Sequence, residues 1–388
     1  MNPVNPLYAV AALALALATT FLAVRTIGAP AASGRFAAID GLRGYLAFFV
    51  FLHHGAIWYF YARSGQWEVP PSNLFTHFGQ SSVALFFMVT GLLFFTKLLE
   101  SNSRPIDWLR LFVSRALRIV PLYVFAIGMC LLIVGILSDF QLRVPVGQLA
   151  RGALRWLSFA MLATYDMNQV KDSWTILASV TWSLKYEWFF YLALPVFAVL
   201  FRVTVPLPFA IIGVLAVALA SLEQLQLIHF TMFLGGLFAA LCARHPRIRL
   251  AASGTPATVC AIACIAIVVT GFDTAYGIAQ VALLSVAFTL VACGNSLFGA
   301  LTHDISRTLG DLSYSIYLLH SILLTIAFRI VIDADTATNL STHLHWGVIL
   351  ACVPALIALS LATYSLVEKP AMSKVDALTD ALRRSRSR

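Results

Sequence analysis

Apolar runs of about twenty residues recur along this chain from residue 7 to residue 367. A helix of about twenty residues matches the roughly 30 Å hydrocarbon layer of a bilayer. In lipid every backbone polar group must find its partner inside the protein, which leaves helices and closed barrels. A barrel would show alternating segments of about ten residues, and the sequence has none. Only 11% of the 388 residues are charged, against about 25% in a soluble domain. The expected fold is therefore all-α: a polytopic bundle of membrane helices.

The runs define the topology. Residues 7–27 are too long for a signal-peptide core of 7–15 residues, and no Lys or Arg precedes them. This run reads as a membrane helix entering from the outside, although Ala29-Pro-Ala31 resembles a cleavage site. Arg25 and Arg35 flank a short link. Further spans are expected at 42–62, 79–99, 118–137, 183–202, 207–223, 226–242, 252–271, 275–295, 310–331 and 346–367, eleven in all. Residues 63–78, with Pro70-Pro71, read as an outer loop. The segment 138–182 is the longest that does not span. Within it, 146–163 is expected to be an amphipathic helix lying on the membrane, with Arg151 and Arg155 four residues apart. The tail after Glu368 is basic and is expected to fray at the membrane surface.

The charges test this topology. Of the 26 Lys and Arg residues, seven fall on the outer side: Arg63, Arg143, Arg151, Arg155, Lys171, Lys185 and Arg329. The other nineteen fall inside, including Lys97, Arg104, Arg110, Arg115, Arg118 and the tail. That bias has the sign of the positive-inside rule for an outer N-terminus and an inner C-terminus. The formal charge of +9 is thus a matter of membrane orientation, and no nucleic-acid partner is implied. The six cysteines all lie in apolar runs without a CxxC spacing, so neither a disulfide framework nor a metal site is expected. Cys260 and Cys264 share a helix face as packing residues.

Ionisable groups inside membrane spans are costly and mark functional positions. The stretch from Asp40 to His54 holds several. Arg43 and His54 are eleven residues apart, about three turns, so they share one face with a rise of roughly 16 Å. They can hold two ends of one long ligand. His53 points roughly 80° away and reads as a packing or supporting residue. Neutral imidazole takes a proton near pH 7, which suits His54 to general-base work on a hydroxyl. Ser183, Glu187 and Tyr191 are spaced by four along one stripe; Glu187 can orient an imidazole or bind an acceptor hydroxyl. Tyr314, Tyr317 and His320 recur by three. Arg115 and Arg118 stand at the inner mouth of the 118–137 span, and guanidinium is the group suited to phosphate.

Five stretches in order carry a resemblance. Asp40-Gly-Leu-Arg43 with His54, Phe86-Phe-Met-Val-Thr-Gly91, Arg115-Ala-Leu-Arg118-Ile-Val-Pro, Trp182-Ser-Leu-Lys-Tyr-Glu187-Trp-Phe-Phe-Tyr191 and Gly310-Asp-Leu-Ser-Tyr-Ser-Ile-Tyr-Leu-Leu-His320 together resemble the membrane O-acyltransferases of acyltransferase family 3. Thr90 stands where that pattern usually has Ser, and Trp188 where it often has an acid or polar residue. The resemblance covers about 36–368. It implies a ten-helix acyltransferase domain at 35–368, preceded by an added membrane helix at 1–34 and followed by a basic cytoplasmic tail at 369–388.

The resemblance further implies transfer of an acyl group, usually acetyl, from cytoplasmic acyl-CoA to a hydroxyl of a glycan or similar acceptor, in a bacterial inner membrane. Arg115 and Arg118 would then hold the CoA phosphates with Arg43 on the path. His54 would be the base or the acyl carrier, and Glu187 would orient it or the acceptor. Asp40, His53, Ser183, Tyr191, Tyr317 and His320 would line or support the site. The lipid bilayer is a standing partner. With no fused outer hydrolase-like domain in the sequence, a separate periplasmic transferase is a further possible partner. A proton-coupled secondary transporter also accounts for buried His and Glu. It lacks matching broken helices in two halves, and it leaves the arginine pair without a task.

Overall fold

A computed structural model of the chain describes residues 2–28, 36–101, 105–159, 161, 165–223 and 225–386. Ala29-Pro-Ala31, Arg35, Arg104 and Arg388 lie outside the described residues. The longer helices are, in chain order, α1 (Pro6–Ile27), α2 (Ala37–Ser64), α3 (Asn73–Leu99), α4 (Trp108–Leu137), α5 (Val146–Leu157), α6 (Ala178–Leu200), α7 (Leu207–Leu222) and α8 (Leu227–Cys242). They continue with α9 (Pro246–Ala252), α10 (Thr255–Gly271), α11 (Ile278–Ala292), α12 (Asp304–Asp311), α13 (Ser313–Thr325), α14 (Ala334–Asn339), α15 (Thr342–Thr363), α16 (Lys369–Met372) and α17 (Val375–Arg386). No strand occurs among the described residues, as the all-α reading requires.

Each of the eleven apolar stretches is helical. Among the described residues, six helices are long and apolar enough to cross a membrane, or up to seven if the bent pair α8 and α9, which turns by 107°, forms one span. The remaining stretches are shorter or more polar than an independent span. α7, α10 and α11 have 16, 17 and 15 residues. α2 has 28 residues and carries Asp40, Arg43, His53 and His54 along its length.

The chain divides into two compact units. Unit 1 comprises residues 1–95 and 227–360, and unit 2 comprises 96–226 and 361–388. In unit 1, α2 is buried around most of its circumference, from Ala38 to Trp58. That pattern marks a core helix, not a surface one. Its N-terminal turns lie against α12 with almost no space between the backbones. A Cβ at Gly44 would strike the backbone of Leu309 and Gly310, and a Cβ at Gly310 would strike the Asp40 carbonyl. The glycines of two distant motifs therefore face each other and set this crossing. Within unit 1, α1 packs through Tyr8, which stacks on Trp346 with ring centroids 5.1 Å apart, while Trp346 Nε1 donates to the Pro3 carbonyl at 2.8 Å.

In unit 2, the amphipathic segment expected over 146–163 forms α5, which stops at Leu157. An apolar cavity of about 440 Å³ lies between α5 and the end of α4, with Leu131, Val134, Leu149 and Ala153 among its walls. The tail does not fray as expected. It folds as α16 and α17, and two ion pairs fasten it to the start of α4: Arg110 to Asp376 at 2.7 Å, and Arg383 to Asp107. An acid and a base on each partner explain the docking, since each charge meets its opposite across the contact. The outer loop at 63–78 is also shorter than expected. α3 starts at Asn73, directly after the Pro-Pro stop.

Candidate active site

Unit 1 carries Asp40, Arg43, His53, His54, Tyr317 and His320; unit 2 carries Arg115, Arg118, Ser183, Glu187 and Tyr191.

The unit 1 cluster centres on two buried imidazoles. His54 is 5% exposed and His320 is fully buried. His320 Nε2 lies 3.0 Å from His54 Nδ1. His54 Nδ1 also lies 3.0 Å from the Val50 carbonyl, and His320 Nδ1 lies 3.0 Å from the Ile316 carbonyl. One neutral proton assignment satisfies all three contacts. A carbonyl oxygen only accepts, so His320 carries its proton on Nδ1 and donates it to Ile316. Its Nε2 then has a lone pair. His54 carries its proton on Nδ1, shared between the Val50 carbonyl and His320 Nε2. The lone pair of His54 is thereby left on Nε2. The opposite assignment would set lone pairs against both carbonyls.

His53 faces another way, as its helix angle predicts. Its Nδ1 is bonded to the Phe75 carbonyl of α3 at 2.8 Å, and Gly79 of α3 has no Cβ where the His53 ring passes. It ties α2 to α3. Tyr317 is buried one turn from His320, edge-on to Phe86 at 5.7 Å and to the His320 ring at 6.3 Å. Asp40 and Arg43 sit in the first turns of α2, with carboxylate and guanidinium 4.0 Å apart.

One further element of this cluster is not apparent from motif spacing. Gly65 caps α2 in the left-handed conformation, with φ of 69° and its N–H bonded to the Tyr61 carbonyl at 2.8 Å. This conformation suits glycine, and it turns the chain so that Trp67 lies back against α2. The Trp67 ring stacks over His54 at 6.1 Å between centroids, with 25° between planes.

The unit 2 cluster gathers the arginine pair and the Ser-Leu-x-x-Glu stripe. Tyr191 donates its hydroxyl to Glu187 Oε1, and the Arg115 guanidinium lies within hydrogen-bond reach of the same hydroxyl. Four-residue spacing on α6 brings the phenol and carboxylate together. Ser183, the third member of the stripe, donates to the Val180 carbonyl at 3.0 Å on its own helix. Arg118 pairs with Glu368 at 3.1 Å, and the Glu368 side chain is fully buried. Glu368 ends a π-helical turn, Tyr364–Glu368, that follows α15. By position alone Glu368 is the first residue of the tail. Its signal was the presence of an acid at the end of an apolar run, where burial demands a cation.

No group of three or more His, Cys, Asp or Glu residues suited to a metal ion occurs among the described residues.

The sequence matches a family model described as an acyltransferase domain over residues 36–364. α1 precedes the matched stretch. No curated protein and no solved structure matches the chain.

Proposed function

The chain belongs to the acyltransferase family, its matched domain covering most of its length, and from that premise we propose that this membrane acyltransferase is an O-acyltransferase. It moves an acetyl group from cytoplasmic acetyl-CoA to a hydroxyl of a glycan or related acceptor, in the inner membrane of a bacterium. The observation that carries the reading is the His54–His320 pair, whose proton assignment directs the lone pair of His54 to Nε2.

A hydroxyl is a weak nucleophile until its proton is removed as the new bond forms. His54 Nε2 is the base for that step. The acceptor oxygen attacks the thioester carbonyl as its proton passes to Nε2. The tetrahedral intermediate collapses with cleavage of the carbon–sulfur bond, and the coenzyme A thiolate leaves and takes up the proton. His320 Nε2 accepts from His54 Nδ1–H, which fixes the tautomer and favours the imidazolium that forms. The same division of labour between base and orienting partner operates in catalytic triads. Here a neutral imidazole stands in the orienting place.

Arg115 and Arg118 hold the phosphates of the CoA head. Guanidinium pairs with phosphate through two parallel hydrogen bonds when it is already oriented. The contacts of Arg115 with Tyr191 and of Arg118 with Glu368 support that role, because they fix both groups before the ligand arrives. Glu187 acts through Tyr191 on Arg115. Arg43, roughly 16 Å along α2 from His54, lines the path of the pantetheine arm.

The test is transfer of radiolabel from acetyl-CoA to carbohydrate by the full chain in proteoliposomes. Wild type is expected to transfer label, and His54→Ala to lose transfer while still binding acetyl-CoA. Arg115→Ala is expected to lose binding. Full transfer by a folded His54→Ala variant would overturn the assignment, and absence of acetyl-CoA binding by the wild-type protein would overturn the reaction class.

A further inference from the structure

We propose that Trp58, Tyr61 and Trp67 form a carbohydrate subsite beside His54, in which a sugar ring stacks on Trp67 and one of its oxygens accepts the Trp58 Nε1–H. The proposal rests on the acyltransferase reading for its place in the reaction, but the subsite stands on its own geometry.

His54, Trp58 and Tyr61 recur at i, i+4 and i+7, so they line one face of α2. Trp67, carried back by the Gly65 turn, lies on that face and touches all three. Its ring centroid is 6.1 Å from that of His54, 5.7 Å from Trp58 and 5.2 Å from Tyr61. Trp58 is edge-on to Tyr61 at 5.4 Å and stacked on Phe328 at 5.5 Å. These rings make an aromatic wall that begins at the imidazole assigned to catalysis.

The wall contains one group that packing does not explain. Trp58 is 2% exposed, and its Nε1–H has no hydrogen-bond partner among the described residues. Buried indole N–H groups nearly always find an acceptor. The Trp58 N–H calls for an acceptor oxygen, and a ligand seated against this wall can bring one. A hydrocarbon tail would leave the N–H unmet, and a cation could not accept its proton. A neutral sugar meets both demands, with C–H faces for the rings and oxygens for the N–H. Trp58 is about 6 Å along α2 from His54, roughly the width of one sugar ring. A ring held at Trp58 thus extends a hydroxyl toward His54 Nε2.

The experiment is ligand-detected NMR saturation transfer on the full chain in phosphatidylcholine nanodiscs. The probes are methyl glycosides of glucose, galactose, mannose, rhamnose and N-acetylglucosamine. Nanodiscs keep glycosidic detergents out of the site. Wild type is expected to bind at least one glycoside saturably. Trp58→Phe keeps the ring and removes the N–H, and should weaken that binding roughly fivefold. Trp67→Ala should weaken it about tenfold or more, and Trp67→Phe should restore most of the loss. Arg383→Ala, on α17, should leave glycoside binding unchanged. Failure of every glycoside to bind a folded protein, or binding indifferent to Trp58 and Trp67, overturns the subsite. Glycoside binding by a protein that transfers no acetyl group would instead overturn the reaction and leave the subsite standing. Melting temperatures of the variants report whether each is folded.

Discussion

His320 Nε2 sits 3.0 Å from His54 Nδ1 although the two residues are 266 positions apart. The contact joins α2 to α13 and makes a two-imidazole unit inside a membrane domain. On the proposed mechanism, His320 is a positioning residue and His54 the base. His320→Ala removes the acceptor for His54 Nδ1–H but leaves the Val50 carbonyl in place. Transfer should then fall by about 10–100-fold, less than the roughly 10²–10⁴-fold expected for loss of the base itself. His320→Gln, whose amide oxygen can accept the same proton, should recover part of the rate. Initial rates of label transfer, read with acetyl-CoA binding, separate these outcomes from misfolding. Equal loss in the Ala and Gln variants would remove the orienting role.

The glycine contact between α2 and α12 predicts a stability effect without reference to function. Gly310→Ala would drive a methyl group into the Asp40 carbonyl, and overpacking of this kind costs about 1–3 kcal/mol. Gly128 of α4 is the control, because a Cβ there meets nothing within 4 Å. Gly128→Ala should be neutral or stabilise by up to about 1 kcal/mol through helix propensity. Thermal melting of the two variants in the same lipid should move in opposite directions, or in one direction with a clear gap.

Much of this arrangement is legible in the sequence, and the parts that are not share a cause. Run length gives the helices because bilayer thickness sets span length. Helix angle separates His54 from His53, since adjacent residues point about 100° apart. Both of these are local rules. Partner choice is not local. Spacing puts Ser183, Glu187 and Tyr191 on one stripe but does not show that Tyr191 donates to Glu187, and no local rule pairs His54 with His320. Glu368 looks like the first residue of a tail but is 1% exposed, because the cation that compensates it lies 250 residues earlier in the chain. Trp67 sits in a polar loop and gains its place only through the left-handed turn at Gly65. The short helices α7, α10 and α11 show the converse limit: apolar composition identifies them, while their starts are set by Pro206, Gly254 and Gly277, which a hydropathy run passes over.

The Arg118–Glu368 pair predicts a double-mutant pattern. Removing one member of a buried ion pair strands a charge and costs roughly 3–5 kcal/mol, whereas replacing both by apolar groups can cost little. Arg118 keeps 16% exposure while Glu368 has none, so the penalty should be larger for Arg118→Met, which strands the buried carboxylate, than for Glu368→Leu. The double variant should melt above either single variant. Its acetyl-CoA binding should still be lost, because Arg118 is absent. Additive losses of stability in the double variant would show that the two side chains act independently.

α17 is fastened to the start of α4 by Arg110–Asp376 and Arg383–Asp107; Arg110, Asp376 and Arg383 are well exposed and Asp107 is partly so. Exposed ion pairs are weakened by salt, with a screening length of about 8 Å at physiological ionic strength. Docking of α17 should therefore loosen as salt rises. Acid should loosen it as well. The hydrogen bond from Arg110 holds the Asp376 carboxyl below its usual pKa. A carboxyl lowered by folding contributes its full stabilisation above the unfolded value of about 3.9. That contribution is lost as pH falls through the lower, folded value. Amide hydrogen exchange across residues 375–386 at constant pH should quicken as sodium chloride is raised. Asp376→Asn should quicken it at low salt and make it less responsive to added salt. Exchange that ignores both salt and Asp376→Asn would mean that α17 is held by the packing of Val375 and Thr379, both buried, and that the two ion pairs contribute nothing measurable to its docking.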